Sequence, residues 1–149
     1  MRFLRAALVL SSFFIVAGCN NSSSSTTPTQ NFVTDVLTGT VQPPVNGALQ
    51  SSYNTFVVGQ GGGTVSVVLT SAVETLPGGT LLPTVSMGVS IGTLANSVCT
   101  PQSNASTIAQ ASSAIILQGS LGVGTFCVLV ADVTNQTGPV AYAVAVSHP

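Results

Sequence analysis

Val140–Ala141–Tyr142–Ala143–Val144–Ala145–Val146 places a large apolar or aromatic side chain at every second position and alanine between them. Successive residues of a strand point to opposite faces, so this stretch is a β-strand with one face made for a core. The same rhythm recurs along the chain. Thr64 to Thr70 sets Val65, Val67 and Leu69 on one face. Thr84 to Ile91 sets Val85, Met87, Val89 and Ile91 against Ser86, Gly88 and Ser90. Gly124 to Ala131 sets Phe126, Val128 and Val130 against Thr125, Cys127 and Leu129. Weaker strand signals lie at Tyr53 to Val58 and Ile108 to Gln118, with Leu37 to Val41 as an edge strand. Turn residues punctuate these runs at Pro43-Pro44, Gly59 to Gly63, Pro77-Gly78-Gly79, Pro101, Gly119 to Gly124 and Gly138-Pro139. No segment carries an apolar stripe at helical spacing. Residues 105–118 hold alanines but no charged pairs four apart, and their Ser, Thr and β-branched content favours a strand. The expected fold is all-β: one β-sandwich or jelly-roll domain over residues 31–149, with about seven to eight strands.

Charge is distributed unevenly. Both basic residues, Arg2 and Arg5, lie at the N-terminus, and the acids Asp35, Glu74 and Asp132 lie beyond residue 30. From residue 19 onward, three acids and no Lys or Arg give a formal charge of −3. Nucleic-acid binding needs cations to displace phosphate counterions, so it is excluded as a function class. Ion pairs past residue 19 are limited to those that His148 can make. The chain is 45% hydrophobic, enough to build a core, with Ser, Thr, Asn and Gln left to cover it.

Residues 1–18, MRFLRAALVLSSFFIVAG, read as a signal peptide. Arg2 and Arg5 form a basic region, and Ala6 to Val16 form an apolar stretch too short for a membrane-spanning helix, which needs about 20 residues. Val16-Ala17-Gly18-Cys19 resembles the bacterial lipobox. That resemblance implies cleavage between Gly18 and Cys19, a diacylglyceryl thioether on Cys19, and acylation of the new terminus. Several acyl chains moor a protein stably to a bilayer, whereas one alone is marginal. Asn20, in place of the Asp that retains lipoproteins in the inner membrane of enteric bacteria, favours the outer membrane. Residues 19–30 then form the lipidated Cys and a Ser/Thr-rich tether with a typical span of roughly 15–20 Å.

With Cys19 committed to lipid, Cys99 and Cys127 remain as an even pair. Secretion places them in an oxidising compartment, and a structural disulfide is expected.

The chain also resembles the bacterial pre-peptidase C-terminal domain family, best over residues 119–147. The matching positions are Gly124, Phe126, Val128, Val130, Asp132, Tyr142, Val144 and Val146, with Phe56, Gly63 and Val65 to Leu69 as a looser opening. The resemblance implies a compact β-sandwich of the kind appended to secreted enzymes. Some members of that family bind collagen through exposed aromatics or use calcium through clustered acids, whereas this chain has few aromatics and three scattered acids. No ligand residue is carried over.

Catalytic chemistry finds little support. A Ser or Cys nucleophile needs a neighbouring base, Lys is absent, and the single His148 is penultimate, a position that frays. Asp35, Glu74 and Asp132 fall near strand ends and turns, where solvated surface carboxylates are expected. Asp132 with Thr134, Asn135 and Gln136 is the best oxygen cluster for calcium, short of the about six to eight ligands that ion takes. Gly59 to Gly63 reads as a loose hairpin loop and not a phosphate cradle, because it precedes a strand and lacks Lys. The expected site residues are therefore Cys19 for lipidation, Gly18 and Cys19 for cleavage, and Cys99 with Cys127 as a disulfide. No catalytic residue, metal ligand or cofactor is expected. The expected function is a membrane-anchored envelope lipoprotein, on the periplasmic or surface face, whose domain is a non-catalytic binding or structural module. Its partners are the bilayer, through Cys19, and an envelope protein or carbohydrate. The alternatives are a structural subunit of a surface or envelope assembly and, behind it, a carboxylate-based hydrolase.

Overall fold

The computed structural model describes residues 30–149. The signal peptide, the Gly18–Cys19 cleavage point, Cys19 and all of the tether but Gln30 lie outside the described residues. Nine strands and no helix make up the described chain: β1 (Val33–Val41), β2 (Ser51–Val58), β3 (Gly63–Thr75), β4 (Leu81–Leu82), β5 (Met87–Ala95), β6 (Val98–Ala109), β7 (Leu117–Leu121), β8 (Gly124–Ala131) and β9 (Val140–His148). Two antiparallel sheets pack face to face as a β-sandwich. One has the order β1-β9-β3-β4, with β7 also pairing β3, and the other has the order β2-β8-β5-β6.

The core is the inward face of these strands. Val140, Tyr142, Val144 and Val146 of β9 meet Val65, Val67 and Leu69 of β3 on one side, and Met87, Val89, Val128 and Val130 complete it from the other sheet. Each fully buried valine contributes about 1.5–3 kcal/mol by leaving water. In β3 the alternation changes phase. Leu69 faces Val144 and Ser71 faces Ala143, so Thr70 is an extra, bulged residue. Before the bulge, odd positions point inward. After it, Ala72 and Glu74 do.

Three strand expectations are corrected. The run expected over Thr84 to Ile91 begins as a strand only at Met87 and continues to Ala95, although Val85 is buried as expected. The strand expected over Ile108 to Gln118 does not exist as one element. Its first residues end β6, its last begin β7, and residues 110–116 connect them. Most of β6, from Val98, was not expected, because its face shows no apolar alternation. It is an edge strand, which accommodates Pro101 without losing an inner ladder. Gly59 to Gly63 is also not a hairpin loop: β2 and β3 lie in different sheets, so residues 59–62 cross between them.

Cys99 of β6 and Cys127 of β8 form the expected disulfide. They sit on strands two places apart, with β5 between. In a flat sheet such strands are about 9–10 Å apart, yet the two Cα atoms are 6.0 Å apart. The sheet is therefore folded sharply at this point, and the residue beneath the fold is Gly92. A Cβ on Gly92 would lie 2.5 Å from the Thr100 carbonyl oxygen and 3.1 Å from Cys99 Sγ. The absent side chain is what allows the bridge to close. Cys127→Ala is expected to cost about 3–4 kcal/mol in the chain-entropy treatment, read from denaturant midpoints. Gly92→Val is expected to leave free thiols titratable in the purified protein. Full oxidation of that variant would show that the fold at Gly92 is not needed.

Candidate functional site

The sandwich has two long sides where the edge strands of its sheets meet, and they differ. On the β1–β2 side, Gly39 lies directly opposite Tyr142 in register. A Cβ at Gly39 would meet the Tyr142 hydroxyl at 2.5 Å, so the ring lies across the bare glycine. From there the Tyr142 hydroxyl donates to Ser52 Oγ at 3.1 Å and accepts from Asn54 Nδ2 at 3.0 Å. Asn54 Nδ2 also donates to the Thr38 carbonyl at 3.2 Å. Side chains of β2 thus cap backbone and ring of the facing sheet, and this side is stitched shut.

The β6–β7 side is open. Ser90 pairs Ser106 and Gly92 pairs Pro101, so the single residue Ile91 of β5 faces four residues of β6, Gln102 to Ala105. The surplus loops outward, with Asn104 in a left-handed conformation at φ 61°. The departure leaves a groove of about 210 Å³ between Gln102–Ala105 and the whole of β7, Leu117–Leu121, with Ile91 at its floor. Its walls are runs of consecutive residues. Alternate side chains of a regular strand point opposite ways, so along β7 a wall that includes all five residues includes main chain as well as side chains. Among the described residues, the outer edges of β6 and β7 have no strand partner. The lining side chains are neutral: amides and hydroxyls from Gln102, Ser103, Asn104, Gln118 and Ser120, over Ile91, Ala105, Leu117 and Leu121.

The carboxylates are elsewhere, and two of them are not the solvated surface groups expected. Glu74 and Asp132 are each only 2% exposed. Glu74 points inward because of the Thr70 bulge. Its Oε1 accepts from the Thr137 amide, the Thr137 hydroxyl at 3.0 Å and the Gly138 amide at 2.8 Å. Burial pushes its carboxyl up, but these three hydrogen bonds outweigh burial and hold it below the usual carboxylate range. Asp132 continues the inward series Val128, Val130. Its Oδ1 accepts from the amides of Thr134, at 2.9 Å, and Asn135, at 3.3 Å. Both acids therefore fasten one segment, residues 132–139, between β8 and β9.

The oxygen cluster read around Asp132 has a different character. Thr134 and Asn135 turn N–H donors toward the carboxylate, and the Gln136 amide donates to Met87 Sδ at 3.1 Å. Among the described residues, Asp132 Oδ2 and Gln136 Oε1 are buried with no hydrogen-bond partner. Among the described residues, no group of three or more His, Cys, Asp or Glu stands together.

His148 does not fray. It pairs Val33 at the end of β9, is 5% exposed, and follows the inward phase of Val144 and Val146. Its ring packs on Phe56 at 5.4 Å, and its Nε2 meets Asp35 Oδ2 at 3.1 Å. Asp35 and Glu74 face Val146 and Val140, six positions apart on β9. At about 3.3 Å per residue they are roughly 20 Å apart, beyond the separation of about 5–9.5 Å at which paired carboxylates hydrolyse glycosides.

Glu74→Gln is expected to destabilise the protein by about 1–3 kcal/mol near neutral pH, because an amide leaves the N–H donors poorly matched. The pH dependence has a definite sign. A lowered folded-state pKa stabilises above the unfolded value of 4.5, and that stabilisation is lost as pH falls below it. Denaturation series at several pH values are expected to show wild type approaching Glu74→Gln below that point. A gap of constant size down to strongly acid pH would contradict the role assigned to Glu74.

No protein-family model, curated protein or solved structure matches this chain.

Proposed function

We propose that this chain is a lipid-anchored protein of the bacterial cell envelope, moored through Cys19 and held off the bilayer by its tether. Its β-sandwich domain is a non-catalytic binding module that engages its partner at the open β6–β7 edge. The anchor is supported by the sequence around Val16-Ala17-Gly18-Cys19 and by the basic and apolar regions before it. The strand pattern resembling the pre-peptidase C-terminal domain family is in keeping with an accessory domain. The observation that carries the non-catalytic half is the use of the acids. Every carboxylate among the described residues is engaged with the fold: Glu74 and Asp132 with loop amides, Asp35 with His148. No charged side chain lines the β6–β7 groove.

A second reading, a structural subunit of a surface or envelope assembly, is supported by β1. This nine-residue edge strand exposes Val33 and Val36, with Phe32 just before it, and holds no Lys or Pro to discourage edge pairing.

The anchor is tested by metabolic palmitate labelling and membrane fractionation of wild type and Cys19→Ala, with and without the signal-peptidase inhibitor globomycin. Wild type is expected to carry label and to sediment with membranes. Cys19→Ala is expected to lose the label and leave the outer-membrane fraction. Equal membrane retention of an unlabelled protein would overturn the reading.

A further inference from the structure

We infer that the β6–β7 groove takes an extended, uncharged polypeptide segment, which adds as a strand to the free edge of β7. This rests on the reading of the groove as the binding site and names its partner class. Three features of the groove lead there.

The first is the nature of its walls. All five residues of β7 and four successive residues of β6 line it, and among the described residues neither strand has a partner on its outer edge. An edge of alternating N–H and C=O groups is matched by another extended backbone, and by little else. At about 3.3–3.4 Å per residue, β7 offers an edge roughly 17 Å long, enough for about five residues of partner.

The second is charge. No Asp, Glu, Lys, Arg or His lines the groove, and no Lys or Arg occurs anywhere in the described residues. A charged side chain entering it would lose water and find no counter-charge. An anionic partner would also meet a domain whose formal charge is −3 from Asp35, Glu74 and Asp132. The matching segment is neutral, with small apolar or hydroxyl side chains alternating between the Ile91 floor and solvent. The groove's volume of about 210 Å³ favours small side chains over bulky ones.

The third is what the lining lacks. No Trp, Tyr or Phe is present, so there is no flat apolar face for a sugar ring. Gln102, Asn104 and Gln118 instead supply neutral hydrogen-bonding groups at the rim. The frame is also rigid where rigidity matters: the Cys99–Cys127 bridge holds the start of β6 immediately before the surplus residues depart from β5.

The test uses the full chain and a fluorescent peptide of alternating threonine and valine with acetylated and amidated ends. Binding is followed by anisotropy, and backbone NMR shifts report its location. Saturable binding with a Kd below about 1 mM is expected, with shifts concentrated at Gln118 to Leu121 and Gln102 to Ala105. A peptide with proline at every second position is expected to bind at least about tenfold more weakly, since proline cannot donate to a ladder. Gly119→Lys guards the edge with a charge, and a Cβ there meets nothing within 4 Å, so the fold accommodates it. Gln118→Lys, at an exposed position, is the second guard variant. Each is expected to weaken binding at least about tenfold. Equal binding of the proline peptide, indifference to both lysine variants, or shifts located on β1 would overturn strand addition. A neutral cello-oligosaccharide that moves the same amides when the peptide does not would also overturn it, while leaving the groove as a binding site. Silence of both probes would overturn strand addition and the binding-site reading together.

Discussion

Beyond Arg5 this chain has no Lys or Arg, and that constraint shapes how its fold treats charge. A buried carboxylate without a cation must be satisfied by hydrogen-bond donors or be excluded from the interior. The protein uses backbone amides. Glu74 and Asp132 sit at the same end of the sandwich and between them hold four amide groups of the segment from Thr134 to Gly138. At the other end of β9, His148 meets Asp35 and packs on Phe56. The central strand β9 is thus fixed at both ends by polar contacts and along its length by Val65, Val67 and Leu69 of β3. The acids act as fasteners of the chain, which removes them from any role at the surface groove.

The two sides of the sandwich express the same economy of side chains. One is closed by a single aromatic hydroxyl. Tyr142 crosses Gly39 and links both sheets through Ser52 and Asn54. The other is opened by backbone geometry alone. Three surplus residues in β6 move it away from β5 opposite Ile91, and the short strand β7 leaves its outer edge free. The disulfide stands between these effects. It draws β6 toward β8 over Gly92, folding that sheet, and the surplus residues begin just beyond Pro101. A sheet edge usually threatens aggregation and is guarded by Lys, Pro or a bulge. Here β6 carries Pro101 and a bulge, whereas β7 has neither Lys nor Pro.

Much of the architecture was legible in the sequence. The alternation of Val65 to Leu69, Val128 to Val130 and Val140 to Val146 identifies buried strand faces, and the faces found are those, whereas in β8 Phe126 is half-buried and Cys127, read on the opposite face, is fully buried. The Cys99–Cys127 pair followed from cysteine arithmetic. The burial of His148 and Asp132 was also written there. Extending the inward phase of Val144 and Val146 by one step reaches His148, and extending Val128 and Val130 reaches Asp132. Residue type, a charged or terminal side chain, argued for the surface and misled. Glu74 could not be found this way, because the Thr70 bulge reverses the phase before it. Nor could β6, an edge strand whose composition shows no alternation. The groove was illegible for a deeper reason: it exists because Ser90 pairs Ser106 while Gly92 pairs Pro101, a long-range register with no local signature.

Residue-resolved amide hydrogen exchange of the free protein examines the open edge most directly. If β7 and Gln102 to Ala105 present unpaired main chain, the groove-facing amides of Leu117–Leu121 and those of Gln102–Ala105 will exchange orders of magnitude faster than the central amides of β3, β5, β8 and β9. Uniform protection of these segments, equal to that of the central strands, would mean that the two edges are closed upon one another, and the β6–β7 side would not be a site.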